Sequence, residues 1–419
     1  MSRHRSVLTA ITAAALLVLS VGTVAISHSA GASTSSSTLA ATAGCGRTPT
    51  LQNGTNTIQS SGKTRNYILR IPAGYDNRRP YRLIFGFHWL GGTATDVATG
   101  QTVQRDVWSY YGLQRLAGES AIFVAPQGFN NGWANSGGED VTFVDDMIRR
   151  IEADLCVETT QRFALGFSYG GAMSYALACA RATTFRAVAV YSGGQLSGCS
   201  GGTQPIAYFG AHGLRDGVLN ISGGRTMRDR FVRNNGCTAQ NPPEPGQGSL
   251  THRSTTYSGC ADRPVVWAAF DEGHIAAPQD GAPGDSGSRT WLPGETWRFF
   301  SQFQSSDPSP SPSPSPTLSP SPSGACAATI RVTNSWQGGF QGEVTVLAGN
   351  SAINGWTVNW TWPGSQTITQ VWGGVRSGSG SNVTVRNETW NGSLGAGAST
   401  TFGFLSNGTA ATPAATCAT

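Results

Sequence analysis

Charge is scarce in this chain. Only 12% of its 419 residues are Asp, Glu, Lys or Arg, and the formal net charge is +5. Arg3 and Arg5 lie in a segment expected to be removed, which leaves about +3 by the same counting. So small a charge, with no clustered basic face, excludes a nucleic-acid partner. Also missing is any Cys-x-x-Cys or His/Cys cluster of the kind that holds zinc, so no metal is implied. Beyond Ile26 there is no apolar run long enough to span a bilayer, and no membrane partner is expected. The one long apolar run, Val7 to Ile26, follows Arg3, His4 and Arg5, is interrupted by Thr12, Ser20 and Thr23, and precedes Ala30-Gly31-Ala32. That arrangement predicts a secretory signal over residues 1–32 and a secreted, extracellular protein.

What the chain does have is glycine, 55 residues of it, together with much Ser, Thr and Asn. Such a composition suits loop-rich exported folds that meet neutral ligands. All eight cysteines, Cys45, Cys156, Cys179, Cys199, Cys237, Cys260, Cys326 and Cys417, lie in the exported part, where disulfides persist. Residues 305–324 are largely alternating Ser and Pro, which offer few amide donors and nothing to bury. They predict an extended linker, on the order of 50 Å if fully stretched. Two folded units are therefore expected, at 45–304 and 325–419.

The first unit is organised around Gly166-Phe167-Ser168-Tyr169-Gly170. Arg162 to Leu165 reads as a short buried strand and Gly171 to Arg181 as an Ala-rich helix. A strand, a tight turn and a helix are the context in which G-x-S-x-G is a nucleophile elbow; elsewhere the motif would be a Gly/Ser turn before a helix. The elbow would push the Ser168 hydroxyl out and aim a helix N-terminus at developing negative charge. Apolar runs at 67–71, 81–87, 121–125, 187–191, 205–209 and 265–270 read as further strands, and Val141 to Leu155 has helical spacing. Strands alternating with helices predict a mostly parallel sheet covered on both faces, an α/β domain.

Ligands of such sheets sit beyond the carboxyl ends of the strands. There, His88-Trp89-Leu90-Gly91-Gly92 follows a strand, and the oxyanion hole is assigned to the backbone N–H groups of Leu90 and Tyr169. A serine needs a base. Of the four histidines beyond the signal, His274 follows the strand at 265–270 on a loop at the reactive edge. His88 is upstream in the wrong chain order, His252 falls in a polar, Pro/Gly-rich insertion, and His212 is followed four residues later by Asp216. The order Ser168, Asp216, His274 is the one this scaffold uses. Asp271 is the fallback acid, although three residues from His274 it would struggle to reach the far ring nitrogen. Trp89, Trp108, Trp133 and Trp267 could line an aromatic pocket or fill the core.

On these motifs, with residues 66–72 and 128–146, the first unit resembles the secreted feruloyl esterases of carbohydrate esterase family 1, a branch related to acetylxylan esterases and polyhydroxybutyrate depolymerases. The resemblance implies an α/β-hydrolase fold with Ser168 as nucleophile, Asp216 as acid and His274 as base. It also implies feruloylated arabinoxylan as substrate and no organic cofactor. Leu90 departs from the pattern, since many relatives are expected to carry a basic residue there. The six cysteines of this unit allow fifteen pairings; those expected are Cys45 with Cys156, Cys179 with Cys199, and Cys237 with Cys260.

The second unit lacks helical periodicity. Short runs rich in Val, Thr, Ile and Trp between Gly/Asn/Ser turns predict an all-β sandwich. Cys326 and Cys417 bracket it, and a bridge between them would close a loop worth about 4 to 5 kcal/mol on a chain-entropy model. Trp356, Trp360 and Trp362 share a strand face with Val358 and are expected in the core. Trp336, Trp372 and Trp390 stand at strand ends beside small polar residues, where indoles stay exposed and their flat rings suit stacking on sugars. With Ile353 to Trp356, Asn391 to Leu394, Gly397 to Ser399 and the terminal cysteines, this unit resembles the family 2 carbohydrate-binding modules. The resemblance implies that those three tryptophans bind a cellulose surface. The whole is expected to act as a monomer. Rival readings are an acetylxylan esterase, a polyhydroxybutyrate depolymerase and a non-catalytic wall-binding protein.

Overall fold

Tyr81–Phe87 has only one residue, Arg82, that is not fully buried, and this continuous apolar strand is the centre of the first unit. Strands buried on both faces lose the in/out alternation of an edge strand, because each face is covered by helices. In the computed structural model, which describes residues 41–303 and 325–419 apart from 337, 379, 389 and 390, with the backbone alone at 333–336, nine strands form one sheet here. They are β1 (Gly54–Ser60), β2 (Lys63–Arg70), β3 (Tyr81–Phe87), β4 (Ala121–Pro126), β5 (Val157–Phe167), β6 (Ala187–Tyr191), β7 (Ala207–Gly213), β8 (His252–Thr256) and β9 (Val265–Phe270). The spatial order is β1-β2-β4-β3-β5-β6-β7-β9-β8. The pairs from β4 to β9 are parallel, whereas β1, β2 and β8 are joined antiparallel at the two ends. The expected signal and the linker lie outside the described residues.

Among the described residues the six α-helices are α1 (Ala94–Thr99), α2 (Leu113–Ala117), α3 (Glu139–Glu152), α4 (Tyr169–Ala180), α5 (Ile221–Asn234) and α6 (Leu292–Ser301). Residues of α3, α4 and α5 share one buried cluster with Leu83, Phe85 and Phe87; residues of α1, α2 and α6 share the other with Ile84. The period-2 alternation of β3 thus feeds two cores, one on each face. In α3 the residues Phe143, Val144, Met147, Ile148 and Ile151 face inward, while Glu139 and Asp140 in the first turn and Arg149 and Arg150 in the last oppose the helix dipole. Most of α4 is buried, and its small residues let it lie close on the sheet.

The strands expected at 81–87, 187–191 and 265–270 have those bounds. Two expectations are corrected. The strand expected at 205–209 runs from Ala207 to Gly213, so His212 is a buried strand residue and not part of a loop. The stretch His252–Thr256, expected inside a polar insertion, is the edge strand β8 paired with β9. Its sequence is polar throughout because one side faces solvent and the other a polar cluster, so it carries no apolar alternation to read. The expected pairings Cys45–Cys156, Cys179–Cys199 and Cys237–Cys260 are the observed disulfides, and Cys326–Cys417 closes the second unit.

That second unit is built of antiparallel strands alone. They are β10 (Cys326–Trp336), β11 (Gly339–Ala348), β12 (Ile353–Asn354), β13 (Thr357–Thr361), β14 (Thr367–Trp372), β15 (Val375–Ser377), β16 (Asn382–Arg386), β17 (Ser393–Leu394), β18 (Ser399–Asn407) and β19 (Thr416–Ala418). One sheet has the order β10-β11-β18-β14 and another β15-β16-β13-β19. Trp356, Trp360 and Trp362 are buried in its core against Phe402 and Phe404, as their alternation predicts.

Candidate active site

The chain leaves β5 at Phe167 and enters α4 at Tyr169 within one residue, which requires Ser168 to adopt φ 56° and ψ −117°. A non-glycine residue there is strained by roughly 1 to 3 kcal/mol, which the surrounding packing must hold. Glycine is needed on both sides for lack of space. A Cβ on Gly166 would lie 2.4 Å from the Gly170 carbonyl carbon, and one on Gly170 would lie 2.0 Å from the Phe87 oxygen. The Ser168 N–H donates to the Tyr191 carbonyl at 2.9 Å, which ties the turn to β6.

Three side chains from separate parts of the chain meet at this turn. His274 Nδ1 is 2.7 Å from Asp216 Oδ2, and its Nε2 is 2.9 Å from Ser168 Oγ. An ionised carboxylate only accepts, so Nδ1 carries the proton and the Nε2 lone pair faces the serine hydroxyl. Asp216 is wholly buried. Its Oδ1 accepts the amides of Val218 at 2.9 Å and Leu219 at 2.8 Å, which leaves Oδ2 for His274. Burial alone would push its carboxyl up, but hydrogen bonds from His212, His274, Leu219 and Val218 hold it well below the usual carboxylate range. His212 was visible in the sequence only as a neighbour of Asp216. Its Nε2–H donates to the Leu219 carbonyl at 2.7 Å and lies 3.4 Å from Asp216 Oδ2, so it braces the turn that carries Asp216. Asp271 is engaged elsewhere, with Arg215 Nε at 3.1 Å and the Leu250 amide at 3.0 Å.

Leu90 is 66% exposed at the mouth of this site, and a Cβ on Gly132 would lie 3.4 Å from its Cδ1 and 3.0 Å from Tyr169 Cε1. Gly132 therefore lets these two residues approach. The amides of Leu90 and Tyr169 have no acceptor among the described residues. Trp108, Trp133 and Trp267 are core residues, whereas Trp89 is half-buried. In the second unit, Trp372 is half-buried and its indole lies over Gly403, where a Cβ would come within 2.3 Å of Cζ2. Trp390 and the side chain of Trp336 lie outside the described residues.

A family model described as a cellulose binding domain matches residues 326–419. Endoglucanase A of Thermobispora bispora is 63% identical over 86 residues, 20% of this chain and 19% of that protein. For the first unit, the probable feruloyl esterase C of Aspergillus terreus is 51% identical over 265 residues, which is 63% of this chain and 93% of the relative. Feruloyl esterase C of Emericella nidulans is likewise 51% identical over 257 residues, 61% of this chain and 90% of the relative. The chain belongs to the feruloyl esterase family.

Two further histidines of this feruloyl esterase family member have roles that the sequence did not disclose. His88 is wholly buried; its Nε2 accepts the Gly128 amide at 3.0 Å, and burial pushes its imidazole down to about 4. It is therefore a neutral ring at neutral pH. His252 has the opposite character. Its Nδ1 is 2.9 Å from Asp280, its Nε2 is 3.2 Å from Glu295, and its ring stacks on Trp291 with centroids 3.8 Å apart. Burial would lower its pKa, but the two carboxylates raise it to about 9. Ser254 also donates to Glu295, so β8 is tied to α6 by a charged cluster.

Because the folded-state pKa of His252 stands above the unfolded value of about 6.5, its stabilisation is complete below that value and disappears as pH rises through 9. His252→Gln, which removes the cation between Asp280 and Glu295, is expected to cost about 3 kcal/mol at pH 6. The deficit should shrink at pH 10, where the parent protein has lost the same charge. Denaturant midpoints of both proteins at the two pH values measure this, and an equal deficit at both would remove the ionic explanation.

Proposed function

We propose that this chain is a secreted serine esterase that hydrolyses feruloyl esters of arabinoxylan and is held on cellulose by its C-terminal module. The observation that carries the reading is the hydrogen-bonded series Ser168–His274–Asp216, with contacts of 2.9 and 2.7 Å, beyond the ends of the parallel strands in a chain of the feruloyl esterase family. His274 Nε2 takes the Ser168 proton as Oγ attacks the ester carbonyl, and the Leu90 and Tyr169 amides receive the oxyanion. Collapse of the tetrahedral species expels the sugar alkoxide, which takes the proton from His274 and leaves ferulate esterified to Ser168. Water, deprotonated by the same imidazole, then releases ferulate and restores the serine. Asp216 stabilises the imidazolium at both stages. No organic cofactor or metal enters these steps.

The proposal divides the chain into a signal at 1–32, an esterase unit at 45–304, a linker at 305–324 and a binding module at 325–419, working as an extracellular monomer. Trp372, with its ring laid over Gly403, supports a sugar-stacking platform completed by Trp336 and Trp390. Acyl preference is tested by kcat/KM on methyl ferulate against a small acetyl ester, using the purified full chain. A preference of tenfold or more for the ferulate is expected. Equal or reversed preference would move the reading to an acetylxylan esterase, and no turnover of either ester would leave a polysaccharide-binding protein.

A further inference from the structure

The peptide that presents the Leu90 amide is held both locally, where the Gly92 amide donates to the Trp89 carbonyl at 3.1 Å, and by donors from distant parts of the chain on the carbonyls before it. Where β3 ends, three consecutive carbonyls, those of Phe87, His88 and Trp89, are each met by a buried side-chain donor. The Tyr111 hydroxyl donates to the Phe87 oxygen at 2.5 Å, the Trp133 Nε1–H to the His88 oxygen at 2.7 Å, and the His88 Nδ1–H to the Trp89 oxygen at 2.8 Å. Each donor is itself anchored. The Tyr111 oxygen accepts the Phe167 amide at 3.3 Å, so one hydroxyl spans β3 and β5 where they part below Ser168. His88 Nε2 accepts the Gly128 amide at 3.0 Å, and the Trp133 ring packs on Phe87 with centroids 5.2 Å apart. Tyr111 does this from φ 57°, a backbone region that bulky side chains avoid, so the packing around it holds it there.

A buried carbonyl without a donor is costly, so each contact has a structural use. The third has a chemical one. A peptide unit is planar, and its C=O and N–H point in opposite directions. The Trp89 carbonyl and the Leu90 N–H belong to one unit, so fixing the first fixes the direction of the second. Donors that act on developing charge are effective when they need no reorientation at the moment of reaction.

We infer that Tyr111, Trp133 and His88 are positioning residues that pre-set the Leu90 amide toward the oxyanion; this rests on the reading of Ser168 as nucleophile. The test uses Tyr111→Phe, Trp133→Phe, His88→Leu and His88→Asn in the full chain. Asparagine keeps an N–H near the position of Nδ1, whereas leucine keeps none. Turnover of methyl ferulate is measured alongside the affinities for an aryl boronic acid, which forms a tetrahedral serine adduct, and for ferulate itself. Tyr111→Phe, which removes one oxygen and leaves the ring in place, is expected to lower kcat and boronate affinity together by about tenfold, with KM and ferulate affinity unchanged. His88→Leu should lose more, and His88→Asn should recover most of that loss. Unchanged kcat in the folded Tyr111→Phe and Trp133→Phe proteins would overturn the inference. So would boronate and ferulate affinities that fall alike. If instead Ser168→Ala kept its turnover, the nucleophile assignment would fail and not the positioning.

Discussion

Replacing Ser168 with alanine is expected to lower kcat on methyl ferulate by about a millionfold while leaving adsorption to cellulose unchanged. Removing the nucleophile of a serine hydrolase disables the remaining machinery as a unit, so the loss approaches that of removing every member. Among the described residues no other hydroxyl faces His274 Nε2. The hydroxyl that His274 Nε2 addresses at 2.9 Å belongs to Ser168, and the neighbouring Ser192 lies buried on the loop after β6. The change deletes one oxygen from a residue already held at positive φ, and the Ser168 N–H bond to Tyr191 is a backbone contact that alanine keeps. The thermal midpoint should therefore stay close to that of the parent. Ester turnover by stopped assay and depletion from a cellulose slurry measure the two halves independently. A serine variant that kept turnover would remove Ser168 from the chemistry, and one that lost adsorption would show that the two units do not act separately.

Asp216→Asn is expected to reduce kcat by about ten-thousandfold with the fold retained. The direction follows from the hydrogen bonds. Oδ1 is held by the Val218 and Leu219 amides, so the asparagine carbonyl must remain on that side. Its NH2 group then takes the position of Oδ2 and points at His274 Nδ1, which is 2.7 Å away in the parent. Two donors cannot face each other, so His274 gives up its Nδ1 proton and carries one on Nε2. The serine hydroxyl then meets an N–H in place of a lone pair, and no base remains. His212 Nε2–H, 3.4 Å from the same oxygen, also loses an acceptor. Crystal density for the variant, with kcat at neutral pH, checks this. Activity within tenfold of the parent would mean that another group orients His274.

The sequence by itself determined the α/β character of the first unit, the all-β character of the second, the inner strands and the tight strand–turn–helix at Ser168. Each of these depends on local composition: strands such as β3, β6 and β9 are apolar because both faces are covered, the second unit alternates short Val/Thr/Trp runs with Gly/Asn turns, and Gly166 and Gly170 flank Ser168 within five residues. Ser168, Asp216 and His274, singled out in the sequence by their chain order, lie within hydrogen-bond distance of one another. Polar edge strands were not legible in the sequence. β1 and β8 carry Thr, Ser, Asn and Arg, and only pairing with β2 and β9 makes them strands. The three disulfides expected for the first unit are those that the fold makes, because pairing depends on which Cα atoms come near each other, here 4.1, 5.2 and 4.0 Å apart. Tertiary structure decided the states of the histidines. Neither charge state could be read from the sequence: burial outweighs the pull of Asp96 and keeps His88 neutral, whereas two carboxylates in direct contact keep His252 charged. The donors to the carbonyls of Phe87 and His88 come from residues 111 and 133, and their convergence is a property of three-dimensional packing. A hydrogen bond between residues distant in the chain depends on where both backbones have gone, and no local stretch of sequence holds that information.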